Sequence, residues 1–193
     1  MPNTQAPFGF RPVRRIDGAA WSGNVTQRKA QNNAAALNRG DLVKALADGT
    51  VAIAAPADGH VVLGVYVGCH YLNSALGYPI WSNYWPGSGA IGLVDVFVID
   101  DPNVVFEAQA NAGNLTLADV GINMDIVVNA STSGFSKMAL NDGTKAVTAT
   151  FPWRMVGLGN FGVNIADGYD ATSNFNIVEV TPNNWINQPG AGI

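Results

Sequence analysis

The sequence is poor in the residues that most often do chemistry. It has one cysteine and two histidines in 193 residues, and only two of its fourteen acids are glutamates. A lone Cys69 excludes an internal disulfide framework, so packing must hold the fold. A metal site needs three or four convergent ligands, and Cys69, His60 and His70 are a thin set even with Asp58 added. Charge is scarce too, at 12% of residues against 48% apolar. That balance excludes an ordinary disordered chain, because enough apolar surface can be buried to offset chain entropy. Long hydrophobic runs are missing: Gly, Asp or His breaks the longest apolar stretches well short of the roughly 18–20 residues that span a bilayer. No continuous apolar segment of signal-peptide type opens the sequence, so secretion is not expected.

What the chain does have is turn residues between short β-forming runs. Glycine (22) and proline (10) punctuate segments such as "HVVLGVYVGCHY" (60–71), "AIGLVDVFVID" (90–100), "VVFEAQA" (104–110), "MDIVVN" and "FNIVEVTPNNW". Gly64 and Gly68 mark bulges or close approaches within the first of these. Asp48-Gly49 predicts a two-residue hairpin, and Asn141-Asp142-Gly143 a second hairpin. "LTLADVGIN" (115–123) predicts a short helical turn, and "TQRKAQNNAAALNRG" (26–40) a short helix ended by Gly40. With about eight to ten strands and no βαβ alternation, the fold class is all-β: an antiparallel barrel or sandwich with little helix.

Charge divides the chain. Residues 1–44 hold seven cations against two acids, a net +5; the remainder holds three cations against twelve acids, a net −9. A basic segment on an acidic body fits a protein partner better than nucleic acid, whose phosphates the body would repel, and no membrane contact is expected. The opening "APFGFRPVRRIDGAAWSG" has neither helical nor strand period, so residues 1–40 are expected as an extended arm and 41–193 as the β-rich body. Phe8, Phe10 and Trp21 are of the type that fills a partner's pockets, and Arg11, Arg14 and Arg15 of the type that pairs with acidic rims. Tyr78, Trp81, Tyr84 and Trp85 crowd an irregular excursion (72–89), and Trp185 stands in the last stretch. The four loop aromatics are expected either to cover an open barrel end or to anchor a partner, and Trp185 to be an anchor of the tail.

Catalytic candidates are weak. Cys69 and His70 are strand neighbours that point to opposite faces. "GLGNFG" (157–162) has the spacing of a dinucleotide-binding turn but no helix after it. Asp95, Glu107 and Asp125, with Trp81, Tyr84 and Trp85 as sugar platforms, would be the carboxylates of a glycan-active site. The sequence therefore predicts no catalytic residue, no cofactor and no metal.

Taken in order, the opening segment, "GDLVKALADGTVAIAAPADGHVVLGVYVGCHY", "VVFEAQAN", "LADVGINMDIV", "STSGFSKMAL" and "FPWRMVGLG" resemble the head decoration, or cement, proteins of tailed bacteriophages. They cover most of the chain except 72–89 and the tail. The resemblance implies a structural virion protein without catalysis that is made in the host cytoplasm. It would sit on the outer surface of the phage head, bound to the major capsid protein and to copies of itself, as a homotrimer or a dimer. Another minor capsid or tail protein is the alternative, and a carbohydrate-binding module or glycan-active enzyme a more distant one.

Overall fold

The computed structural model describes residues 4–56, 62–131, 133–147, 149–159 and 175–186. Its first seven strands are β1 (Arg11–Arg15), β2 (Thr26–Ala30), β3 (Leu37–Asn38), β4 (Leu42–Ala45), β5 (Val51–Ile53), β6 (Gly64–Leu72) and β7 (Pro79–Ser82). Then come β8 (Tyr84–Trp85), β9 (Val94–Ile99), β10 (Val104–Gln109), β11 (Asn123–Val127), β12 (Ala139–Ala146), β13 (Trp153–Leu158) and β14 (Ile177–Pro182). The one helical element among the described residues is the 3-10 turn Leu117–Asp119, where Thr116 and Asp119 form a capping box. The chain is all-β, as its composition predicts.

Five strands close into a barrel in the order β4-β5-β2-β9-β6, with Leu42 opposite Val65 completing the ring. Closure leaves no free edge between these strands. Inside it lie Val43, Tyr66, Cys69, Val94, Val96 and Val98, with Trp85 and Leu37 brought in by the small β3–β8 ladder. The pairing of β6 with β9 slips between Tyr66 and Gly68, so a bulge turns both Tyr66 and Cys69 inward. His70 faces outward. Beyond the stretch that meets β4, the same edge of β6 carries β7, which extends the sheet past the barrel.

The second sheet runs β1-β10-β14-β13-β11-β12, antiparallel throughout. It curls until the end of β10 meets β12: Ala110 bridges Leu140, and the Asn111 N–H donates to the Leu140 carbonyl at 2.9 Å. Its core is aromatic at the centre, with Phe10, Phe106, Trp153 and Trp185 packed among Met124, Met138 and Met155. Trp153 lies edge-on to both Phe106 (5.2 Å) and Trp185 (5.1 Å).

Several local expectations change in three dimensions. The 26–40 segment is not helical but supplies β2 and β3. Its weak helical face buries little, whereas β2 gains a partner on each side and two cross-strand ion pairs, Arg28–Asp100 (2.6 Å) and Lys29–Asp95. Asp48-Gly49 does turn a hairpin, with a three-residue loop closed by the Leu46 N–H to Thr50 carbonyl bond. Asn141-Asp142-Gly143 does not turn; it bulges within β12, and the Asp142 carboxylate accepts from the Ala112 and Gly113 N–H groups.

The N-terminal segment is extended, and it lies on its own body. β1 pairs with β10, β2 completes the barrel, and residue 40 is not a structural boundary. At the crossing point, the Gly9 N–H donates to the Met138 carbonyl and the Phe10 N–H to the Gly40 carbonyl. Both glycines have positive φ, and a Cβ on Gly9 would stand 2.4 Å from that of Ser136. Only glycine lets three backbone segments meet so closely.

Candidate functional site: an exposed aromatic face

Most of the residues expected to grip a partner are used by the chain itself. Phe10 is 1% exposed and stacks on Trp153, with ring centroids 4.5 Å apart. Arg11 pairs with Glu107 (2.6 Å), Arg14 with Glu179 (2.6 Å) and Arg15 with Asp101 (2.7 Å). Trp21 packs half-buried against the core of the second sheet. Phe8 is half-buried beneath the Arg11 guanidinium, 5.2 Å from its ring centroid. In place of a free arm there is a segment whose anchors fill its own pockets. The physical reason is that β10 has polar positions that need covering. Glu107 meets Arg11, while Gln109 accepts from the Ala6 N–H and donates to the Thr4 carbonyl.

The aromatic excursion divides. Trp85 is fully buried, edge-on to Tyr71 at 4.9 Å, and Tyr84 is half-buried. Trp185 is likewise in the core. These are not surface anchors, because the β3–β8 ladder and the Val62–Trp185 bridge draw them inward. Trp81 and Tyr78 remain outside, 71% and 54% exposed. β7 is an edge strand, so alternate side chains face inward (Ile80) and outward (Trp81).

Trp81 is held although exposed. It stacks nearly parallel on Phe97 (5.5 Å, 7°), reaching it over Gly68, and leans on the His70 ring at 4.3 Å. With Gly68 as floor, Trp81, Phe97, Val67 and Val25 wall a groove of about 520 Å³. A second cleft of about 370 Å³ shares Val67 with it and is bounded by Phe8, Phe135 and Arg39. Phe135 is 61% exposed. The two hollows share Val67, and between them they present Trp81, Phe97, Phe8 and Phe135. Sequence reading missed Phe135, Phe97, Val25 and Arg39. Phe135 had a signal, a single aromatic within a Ser-Gly loop that offers it nothing to pack on.

The other candidates do not assemble. Asp95 sits on β9 of the barrel, while Glu107 and Asp125 lie on β10 and β11, which are not neighbours in the other sheet. Burial opposes the ionised form of Asp95, but hydrogen bonds from Lys29 and Gln27 and the Lys29 and His70 charges hold its carboxyl below the usual range. Cys69 is buried in the barrel, and burial pushes its thiol up, so it stays a neutral thiol. Burial likewise raises Tyr66 and Asp41; the Asp41 carboxylate accepts from the Asn38 N–H at 2.7 Å. No group of three metal-ligating side chains occurs among the described residues. Asp58, His60 and the end of the 157–162 turn lie outside them. No described helix is long and apolar enough to cross a membrane. Comparison with protein-family models, curated proteins and solved structures finds no match to this chain.

Proposed function

We propose that this chain is a structural virion protein that decorates and stabilises a tailed-phage head, binding the major capsid lattice and neighbouring copies on its outer surface. The order of sequence segments supports the family, and one structural observation supports a binding role. On the Trp81–Phe97–Phe135 face, Trp81 and Phe135 leave large rigid side chains in water, on a body whose other large aromatics are mostly packed. Aromatics so placed are the usual anchors of protein interfaces. The gripping surface is thus read as this folded face, to which Phe8, Val25 and Arg39 contribute, and not as a free N-terminal arm. A trimer or dimer would present the face in several copies, and the raised effective concentration lets modest single contacts hold.

The test is binding of the purified protein to heads assembled from the major capsid protein alone. Saturation at hundreds of copies per head supports decoration. A copy number of about a dozen or fewer favours a vertex or tail protein. Trp81→Ala should weaken binding with little change in thermal unfolding, and heads that take up no wild-type protein overturn the reading.

A further inference from the structure

Arg39 is the one arginine among the described residues whose guanidinium has neither an acid nor an amide as partner. Arg11, Arg14, Arg15 and Arg28 meet Glu107, Glu179, Asp101 and Asp100, and Arg154 meets the side-chain carbonyls of Asn123 and Asn183. Arg39 stands exposed at the second cleft, beside Phe8 and Phe135. The walls of this cleft are fixed by backbone bonds: the Arg39 N–H donates to the Gly134 carbonyl and the Ser136 N–H to the Arg39 carbonyl, while the Phe10 N–H donates to Gly40. The hollow therefore exists before anything binds, which lowers the ordering cost of docking.

We propose that this cleft receives a linear segment of a partner protein in which a carboxylate stands next to a large apolar side chain. The carboxylate would pair with Arg39, and the apolar side chain would lie between Phe8 and Phe135. The proposal names a partner chemistry for part of the aromatic face and rests on the reading of that face as a binding surface. Complementary charge selects the carboxylate: a guanidinium fork takes it in two parallel hydrogen bonds, and the apolar walls strengthen the pair by excluding water. The volume suits about one or two side chains rather than a folded domain. A different protein is the occupant proposed, with a second copy as the competing outcome of the test, since six of the fourteen carboxylates already have cations of their own chain. Asp95, Asp100, Asp101, Asp119, Glu107 and Glu179 are each paired with a cation of the same chain.

The experiment selects a displayed library of random linear peptides on the immobilised full-length protein, with no heads present. Enriched peptides should carry Asp or Glu within one or two positions of Phe, Trp or Leu. A synthetic peptide of that consensus should bind about tenfold or more weakly to Arg39→Glu and to Phe135→Ser, and more weakly in high salt. Both side chains are exposed, so unchanged thermal unfolding of the two variants confirms an intact fold. Selection without acidic enrichment, or affinity unaltered by Arg39→Glu, overturns the proposal. So does sedimentation in which the wild type self-associates and Arg39→Glu does not, since that gives the cleft to a second copy. Because no heads are used, failure here leaves the decoration reading standing, and failure of head binding leaves the peptide result standing.

Discussion

Glu107 and Glu179, the only two glutamates of the chain, lie directly opposite each other on β10 and β14. Two like charges so placed repel across the sheet, and both side chains are largely shielded from water. β1 resolves the conflict: Arg11 takes Glu107 and Arg14 takes Glu179, the hydrogen bond that Arg14 donates to Glu179 raising the guanidinium above its usual value. The N-terminal segment is thereby an electrostatic part of its own sheet. Removing either arginine should destabilise the protein by about 1–2 kcal/mol in urea unfolding, since half of each pair stays exposed. Replacing Glu107 by Gln in the Arg14→Ala background should recover part of that loss. If the second change adds further destabilisation, repulsion between the glutamates is not the cause.

The stack of Phe10 on Trp153 makes the same segment part of the core. Phe10→Ala leaves a cavity beside the Trp153 ring and should cost about 3–5 kcal/mol, read from the denaturant midpoint. Deleting residues 2–24 removes Phe10 and β1 together and should abolish a single cooperative unfolding transition. A truncated protein that melts sharply near the wild-type temperature would show that the segment is dispensable to the fold.

Gly9 should not tolerate a side chain. Its φ of +76° is strained for any L-residue, and the added Cβ would collide with Ser136 and with the Gly40 carbonyl oxygen. Gly9→Ala is expected to destabilise by about 2–4 kcal/mol, strain and overpacking together. Gly18→Ala, also at positive φ but with open space around it, should lose only the strain part. Equal effects at the two positions would contradict the three-way crossing at Gly9.

Acid should weaken the fold through a few carboxylates. Burial opposes ionisation of Asp101, but hydrogen bonds from the Asn103 N–H and amide and the charge of Arg15 hold its carboxyl below its usual range; Asp95 and Asp119 are lowered as well. A carboxyl lowered on folding contributes stability that is complete above its unfolded value and is lost as pH falls through the folded one. Buried Asp41 has the opposite sign: burial raises it, so its contribution is complete at low pH and is lost as pH rises through its folded value. With three groups against one, the urea midpoint should fall as pH drops below the usual carboxylate range. Asp101→Asn should flatten that fall, and an unaltered acid limb in this variant would rule out Asp101 as a contributor.

The all-β class, the strands at 64–72, 94–99, 104–109 and 123–127, the hairpin at Asp48-Gly49 and the short turn at 117–119 were legible in the sequence. Each depends on neighbours along the chain: β-branched runs, turn residues and a capping pair. Tertiary structure alone decided where the polar and aromatic side chains went. "VVFEAQ" shows mixed polarity, which locally means a strand partly in water, yet every residue is buried because the N-terminal segment covers its Glu107 and Gln109. Trp81 and Trp85, four residues apart, end in water and in the barrel core because one strand pairs with the outer part of β6 and the other with β3. Residues 26–30 become a strand because β5 and β9 leave a gap of one strand's width in the ring. Propensity is a property of a segment, whereas burial belongs to the pair of surfaces that meet, and only the folded chain determines which surfaces those are.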